Sequence, residues 1–334
     1  MPNAPKYAAH ALRDHLWTAW DVASQASWRG TPRLVDLLAG GRRQGFNESP
    51  DSFYSLGFIN IRSGTTWRIG IPDIGAFYTV VSLHSGSRQK CVEWLVDEND
   101  RGERSILLCH EAPAEFGIDT EGFGGLCQIM VRQYFTYPVD TRRLLFPRLI
   151  QQNNAGQQKQ LHWLPGWAVA GTRFLIWRLK PLLAVKYLHY RLGNRLPRNV
   201  FLSFEDIVQL WKGGAEMVTR MGIERFRYLF CYYDLTPGQA MKIRYDANNS
   251  RYFAFALNHL WVQRLIHNVI ATHANSYQLE SVNGCYEVMI TLQPVDQKNN
   301  LCTLGNRRGI IAFREILPGL KPTLPECTIV TGRY

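Results

Sequence analysis

Apolar residues recur along this chain in two textures. Residues 7–40 place Leu12, Leu16, Trp17, Trp20 and Val22, then Leu34, Leu37 and Leu38, at the three- and four-residue spacing of a helix face. A Gly-Thr-Pro break at 30–32 separates the two runs, and "AGG" closes the second as a C-cap would. Two helices are therefore expected in an N-terminal arm, residues 1–44. From Phe53 to Tyr134 the texture changes to short stretches of period two, such as "TWRIGIP", in which Trp67, Ile69 and Ile71 share one side. That predicts a β-rich unit over 45–140. "SFEDIVQLWKGGAEMVTRMG" at 203–222 opens with Ser203 and Asp206 at capping-box spacing and predicts a helix. Beyond it, "MKIRY", "RYFAFALNH", "CYEVMITLQ" and "GIIAFREIL" return to strands, giving a second β-rich unit over 228–334 that closes in an extended Pro-rich tail.

The two units align with each other. "AFYTVVSLH" at 76–84 lies over "SRYFAFALN" at 250–258, matching Tyr78 with Tyr252 and Leu83 with Leu257. "ILLCHE" at 106–111 lies over "VMITLQ" at 288–293, and "GFGGLCQIMVRQY" at 122–134 over "LGNRRGIIAFREI" at 304–316 at the same offset, matching Arg132 with Arg314. An internal duplication is expected, the alternative being two unrelated sandwiches that share strand composition. The expected fold class is α+β and rich in β: two related antiparallel β-sandwich, jelly-roll-like domains, with the helical arm and a central helical insert over 141–227.

Charge changes the picture in that central segment. The formal net charge is +11, and between Asp140 and Glu205 there is no acidic residue, whereas Arg142, Arg143, Arg148, Lys159, Arg173, Arg178, Lys180, Lys186, Arg191, Arg195 and Arg198 all fall there. Those eleven cations equal the whole net charge, so an anionic partner, if there is one, meets this stretch. It does not read as a membrane span, which needs about twenty predominantly apolar residues. The longest charge-free run, 160–172, is too short, and Arg173, Arg178, Lys180 and Lys186 interrupt every later window. Two readings remain open. Either Trp163, Trp167 and Trp177 sit at headgroup level while Arg173, Arg178, Lys180, Lys186, Arg191 and Arg195 reach anionic lipid. Or the cations meet acidic groups on the sandwiches or on a partner subunit, "EWLVDENDRGE" supplying one such cluster. Nucleic acid is not expected, because no recognition motif accompanies the aromatics.

Candidate chemistry is sparse. The seven cysteines form no C-x-x-C pair and no zinc-like spacing with histidine, and read as reduced thiols of a cytosolic protein. The N-terminus places Lys6, Arg13 and Asp14 where a signal peptide needs an apolar run. Asp51 follows Pro50 in a turn, where it either accepts backbone hydrogen bonds or stands as a general base at the mouth of the first sandwich. Arg132 and Arg314 end equivalent strands, where each can hold a carboxylate, internal or of a ligand. His84, Asn258 and these three complete the polar candidates for an enzyme site. "CHE" at 109–111 is a poor metal site if it is a strand, since neighbours on a strand face opposite ways. No P-loop, dinucleotide fingerprint or nucleophile elbow is present, and no metal or cofactor is expected.

Three motifs carry a resemblance: "NESPDSFYSLGFINI", with Ser49, Pro50, Asp51, Ser52 and Tyr54; "SVNG" at 281–284; and "NNLCTLGNRRGIIAFR" at 299–314. Together they resemble a bacterial two-domain family known only as domains of unknown function, number twelve fifty-four in the first half and twelve fourteen in the second. A histidine common in that family after Thr-x-Gly is Asn306 here, and a tryptophan often seen beside the Asn-Leu step is absent at Asn300. The resemblance implies two β-sandwich domains joined by helices, commonly in an oligomer, and no activity. The expectation is thus a cytoplasmic, peripherally membrane-associated binding or assembly module, a homo-oligomer or subunit of a complex, docking to an anionic surface or acidic partner. The alternative is an enzyme acting on a small molecule between the sandwiches.

Overall fold

The computed structural model describes residues 34–36, 50–61, 65–85, 91–96, 102, 104–112, 117–123, 125–140, 143–153, 196–203, 206–207, 226–247, 250–260, 265, 271–316 and 323–332. The first half contributes β1 (Val35–Asp36), β2 (Ser52–Ile61), β3 (Thr65–Ile71), β4 (Tyr78–Ser85), β5 (Cys91–Val96), β6 (Arg104–Cys109), β7 (Gly117–Asp119), β8 (Gly125–Tyr134) and β9 (Arg148–Asn153). They form a five-stranded sheet ordered β1-β2-β8-β4-β5 and a four-stranded sheet ordered β7-β6-β3-β9.

The second half repeats this plan. Its strands are β10 (Phe201–Ser203), β11 (Phe226–Asp234), β12 (Gln239–Asp246), β13 (Tyr252–Asn258), β14 (His273–Asn275), β15 (Ser281–Val282), β16 (Cys285–Thr291), β17 (Asn300–Cys302), β18 (Arg308–Ile316) and β19 (Glu326–Thr331). One sheet runs β10-β11-β18-β13-β14; the other runs β15-β16-β12-β19, with β17 added parallel to β16 as β7 is added parallel to β6. The register matches too. Arg132 on β8 stands opposite Tyr54 and Val80, and Arg314 on β18 opposite Tyr228 and Ala254. Two residues further on, Tyr78 and Tyr252 face Tyr134 and Ile316. The aligned pairs therefore occupy equivalent places in sheets of the same strand order.

Period-two alternation explains how each pair of sheets closes. In the first half Ile59, Ile61, Val81, Leu83, Ile129 and Val131 of the larger sheet meet Trp67, Ile69, Ile106 and Leu108 of the smaller. In the second, Leu229, Tyr233, Phe253, Phe255 and Phe313 meet Met241, Ile243, Tyr245, Val288 and Ile290. Fully burying an aliphatic or aromatic side chain of this kind contributes about 1.5–3 kcal/mol before entropic costs, so these two cores dominate the stability.

The helical part of the expected fold class is corrected: the described residues are almost entirely strand, and they contain no helical arm and no helical insert. Val35–Asp36, read as helix from the spacing of Leu34, Leu37 and Leu38, pairs with Leu56 and Ser55 on β2, while Leu34 enters the first core. Sheet pairing outweighs the local apolar period there. Arg148–Asn153, placed in the insert, is the edge strand β9, paired with β3, with Leu149 packed on the core and Ile150 exposed. Ser203 and Asp206 do make the reciprocal capping bonds, Asp206 N donating to Ser203 Oγ at 3.0 Å and Ser203 N to Asp206 Oδ2 at 2.8 Å. Asp206–Ile207 are helical, and the rest of 203–222, like residues 1–33 and 154–195, lies outside the described residues.

The faces of the two larger sheets that point away from their cores meet at one end. Tyr134 packs against Phe226 and Tyr252 with ring centres 5.8 and 5.9 Å apart, Tyr78 against Phe226 at 6.1 Å, and Phe77 against Tyr252 at 5.4 Å. This aromatic seam joins the halves and holds the polar residues considered next.

Candidate functional site

Asp51 precedes β2, and its turn is fixed by Phe135 N donating to the Asp51 carbonyl at 2.8 Å and Val139 N to that of Pro50 at 3.1 Å. The carboxylate is fully buried. Tyr252 Oη donates to Oδ2 at 2.7 Å, and Asn275 Nδ2 donates to the same oxygen at 2.5 Å and to the Thr136 carbonyl at 2.9 Å. His273 Nε2 stands 3.6 Å from Oδ1. A buried carboxylate is tolerated only with such donors, and bonds to a charged acceptor are the stronger kind. Asp51 is thus a tie between the halves. His273 and Asn275 were not singled out from the sequence. They share one face of β14 because they are two residues apart, while Ala274 between them turns into the second core. The available signal was that His-x-Asn spacing within "ATHANS".

Beside this tie lie the equivalent arginines. Arg314 sits over the rings of Tyr228, Tyr134 and Tyr54, at 5.4, 5.7 and 6.0 Å, and Arg132 over Phe226 at 5.3 Å, with its Nε on Met130 Sδ at 3.1 Å. Both are buried. The guanidiniums thus lie against aromatic faces, where a desolvated cation–π contact is worth about 2 kcal/mol. Burial disfavours the Arg314 cation, but the phenol oxygens of Tyr54, Tyr228 and Tyr134 more than offset it and raise its pKa. Tyr54 and Tyr134 share a hydroxyl–hydroxyl bond of 3.0 Å, and burial raises both phenols against the opposing pull of Arg314. They stay protonated at neutral pH, one hydroxyl donating to the other, and neither is a base there.

The other two candidates lie elsewhere. His84 and Asn258 occupy equivalent positions, opposite Gln128 and Ile310, at the far ends of β4 and β13. His84 Nε2 meets Ser82 Oγ at 3.0 Å and Asn258 Nδ2 donates to the Ala256 carbonyl at 2.9 Å. The structure therefore gathers Asp51, Arg132 and Arg314 and leaves His84 and Asn258 apart. Trp163, Trp167, Trp177, Arg173, Arg178, Lys180, Lys186, Arg191 and Arg195 lie outside the described residues. "CHE" needs a correction: His110 and Glu111 follow β6 in a turn, Glu111 at φ 57°, so strand alternation does not separate them, and they approach to 3.8 Å on the surface.

The two C-terminal motifs have architectural roles. Asn283 and Gly284, both at positive φ, form the two-residue turn between β15 and β16. Asn299 donates to the Glu280 and Glu287 carbonyls at 2.8 and 3.0 Å and accepts from Glu280 N at 2.9 Å. Asn306 Nδ2 donates to the Thr303 carbonyl at 2.7 Å. Gly309 is closely packed: a Cβ there would fall 2.4 Å from Tyr233 Oη and 2.5 Å from the Asn258 carbonyl.

No protein-family profile matches the chain. No curated protein matches it either. Among solved structures, the chain is similar to an uncharacterized protein from Burkholderia cenocepacia at 15% identity, with a TM-score of 0.75 over 99% of this chain and 90% of that one. It also aligns with the VPA0106 protein from Vibrio parahaemolyticus at 10% identity over 95% and 99% of the two chains, but the TM-score of 0.49 carries no argument. The first likeness is one of fold alone and extends over nearly the whole length.

Proposed function

We propose that this chain is a binding or assembly protein of the two-domain family its motifs resemble. Its sandwiches form a fixed frame, and the acid-free basic stretch 141–204 docks to an anionic surface, of lipid or of a protein partner. The observation behind this reading is how Asp51, the best-placed catalytic candidate, is used. It is fully buried and already takes hydrogen bonds from Tyr252 and Asn275, so its lone pairs hold the halves together. His84 and Asn258 are likewise engaged by their own strands. What is left to recognise a partner is charge, concentrated where the sequence has eleven cations and no carboxylate. Among the described residues no helix is long and apolar enough to cross a membrane. In this reading the docking is peripheral and, for a cytoplasmic protein, to the anionic inner leaflet.

Flotation with neutral and with anionic vesicles at low salt tests the lipid arm. Wild-type protein should float with anionic vesicles only. Failure to float, with binding of an acidic protein from the same cells that salt reverses, would move the docking to a protein. Failure of both would remove the proposal.

A second reading, an enzyme acting on a small molecule between the sandwiches, has one observation in its favour: Asp51, Arg132 and Arg314 all contact rings or hydroxyls of the aromatic seam that joins the halves. It requires the seam to open, since Tyr252 and the ring cluster now fill it.

A further inference from the structure

β19 is the last strand of its sheet, bonded to β12 on one side and, among the described residues, to no strand on the other. One bond shows which of its backbone groups face outward. Gly332 N donates to the Gly238 carbonyl at 3.0 Å, and that pair continues the register in which Thr331 stands opposite Gln239. In an antiparallel ladder, hydrogen-bonded and non-bonded partners alternate. Val330, Thr328 and Glu326 therefore exchange bonds with Ala240, Lys242 and Arg244, while the N–H and C=O groups of Thr331, Ile329 and Cys327 point away from β12. Among the described residues, no backbone bond outside the strand ladders reaches those three. Side chains alternate as well. Cys327 and Ile329 pack on the second core and stay partly exposed, whereas Glu326 and Thr328 stand in solvent on the outer face.

Edge strands are normally guarded against pairing with another chain by lysine, proline, a bulge or a covering segment. Glu326–Thr331, "ECTIVT", has no lysine, no proline and an unbroken register with β12. We infer that β19 pairs antiparallel with β19 of a second copy of this chain, joining two β15-β16-β12-β19 sheets across a two-fold axis. A second copy is the occupant because the strand is self-complementary. A register centred on Ile329 sets Ile329 against Ile329 and Cys327 against Thr331 of the second copy, so all three outward-facing residues of each strand find bonded partners. Centring on either neighbour pairs only two of the three within the strand. Pro325, just before the strand, lacks the N–H that would carry the ladder further. Thr328 then faces Val330 of the second copy in a non-bonded pair, where side chains come closest and β-branched residues pack well. The strand's one charge, Glu326, falls opposite Gly332, so no like charges meet. The partly exposed Ile329 is covered by its symmetry mate. This pairing uses no residue of the basic stretch and stands apart from its docking.

Sedimentation velocity of the full chain across about 1–500 µM should show a monomer–dimer equilibrium. Thr328→Lys combined with Val330→Lys sets lysine opposite lysine twice at the two-fold seam, on the face turned away from the core, and should weaken the dimer about tenfold or more. Amide hydrogen exchange of the wild type gives a second reading that needs no variant. The amides of Cys327, Ile329 and Thr331 should exchange freely at the lowest concentration and become protected at the highest, while those of Thr328 and Val330, bonded to β12, are protected at both. A chain that stays monomeric throughout the range overturns the inference. So does a dimer of unchanged affinity in the folded double-lysine variant, or a dimer in which those three amides exchange as fast as in the monomer.

Discussion

Tyr252 Oη donates a 2.7 Å hydrogen bond to Asp51 Oδ2, joining residues 201 positions apart and the two halves of the chain. Tyr252 is the counterpart of Tyr78 in a sheet of the same strand order. In the second half that place serves as a joint.

Removing the joint should loosen the whole protein. A hydrogen bond to a charged group contributes about 1.5–3 kcal/mol, so Tyr252→Phe should lower the unfolding free energy by that amount. Asp51→Ala should cost more, about 3–5 kcal/mol, because the Tyr252 hydroxyl, the Asn275 amide and the facing His273 all lose that acceptor. Urea unfolding of both single variants and the double variant would give the coupling. Losses that simply add would mean the bond carries no energy.

Much of the frame was legible because strands announce themselves by period two and because two copies could be laid over each other. Arg132 with Arg314 and Tyr78 with Tyr252 came from a constant offset, and the registers place them together. The arm and the insert misled for a shared reason. Leu34, Leu37 and Leu38 have helical spacing, yet a pairing across to Leu56 decides their neighbour's conformation. "RLIQQN" has too few apolar residues to announce an edge strand. The joint was half legible: Asp51 stood out, but its partners His273 and Asn275 sit on a three-residue strand whose meaning comes entirely from what it faces. The rings around Arg132 and Arg314 were not legible, because the aromatic seam is a tertiary product of both halves.

Alkali should unfold the protein by ionising its phenols. Burial raises the pKa of Tyr54, Tyr134, Tyr232, Tyr233 and Tyr245, while Tyr245 also donates to Glu315 Oε1 at 2.5 Å. A raised folded-state pKa means stability that is complete below the unfolded value of about 10 and is lost as pH rises beyond it towards the folded values. Absorbance at 295 nm should therefore show these five tyrosines ionising in one cooperative step together with loss of near-ultraviolet circular dichroism. Gradual ionisation near pH 10 in a still-folded protein would contradict their placement.

Gly309→Ala tests the architectural reading of the C-terminal motif. The new methyl group would collide with the Tyr233 hydroxyl and the Asn258 carbonyl, and overpacking of this kind costs about 1–3 kcal/mol or more. Thermal melting should show the loss. If the midpoint is unchanged, Gly309 was required by something other than packing.

The docking of the basic stretch is the central claim, and its affinity for lipid is the most direct measure of it. Replacing Arg173, Arg178, Lys180 and Lys186 by glutamine removes four cations, each worth about 1 kcal/mol beside an anionic bilayer. Titrating anionic vesicles against wild type and this variant at low salt should show a loss of about 3–4 kcal/mol, or two to three decades in affinity, with the melting midpoint nearly unchanged. If wild type ignores the vesicles while the variant unfolds or falls apart into protomers, those cations brace the protein itself and the docking account is wrong.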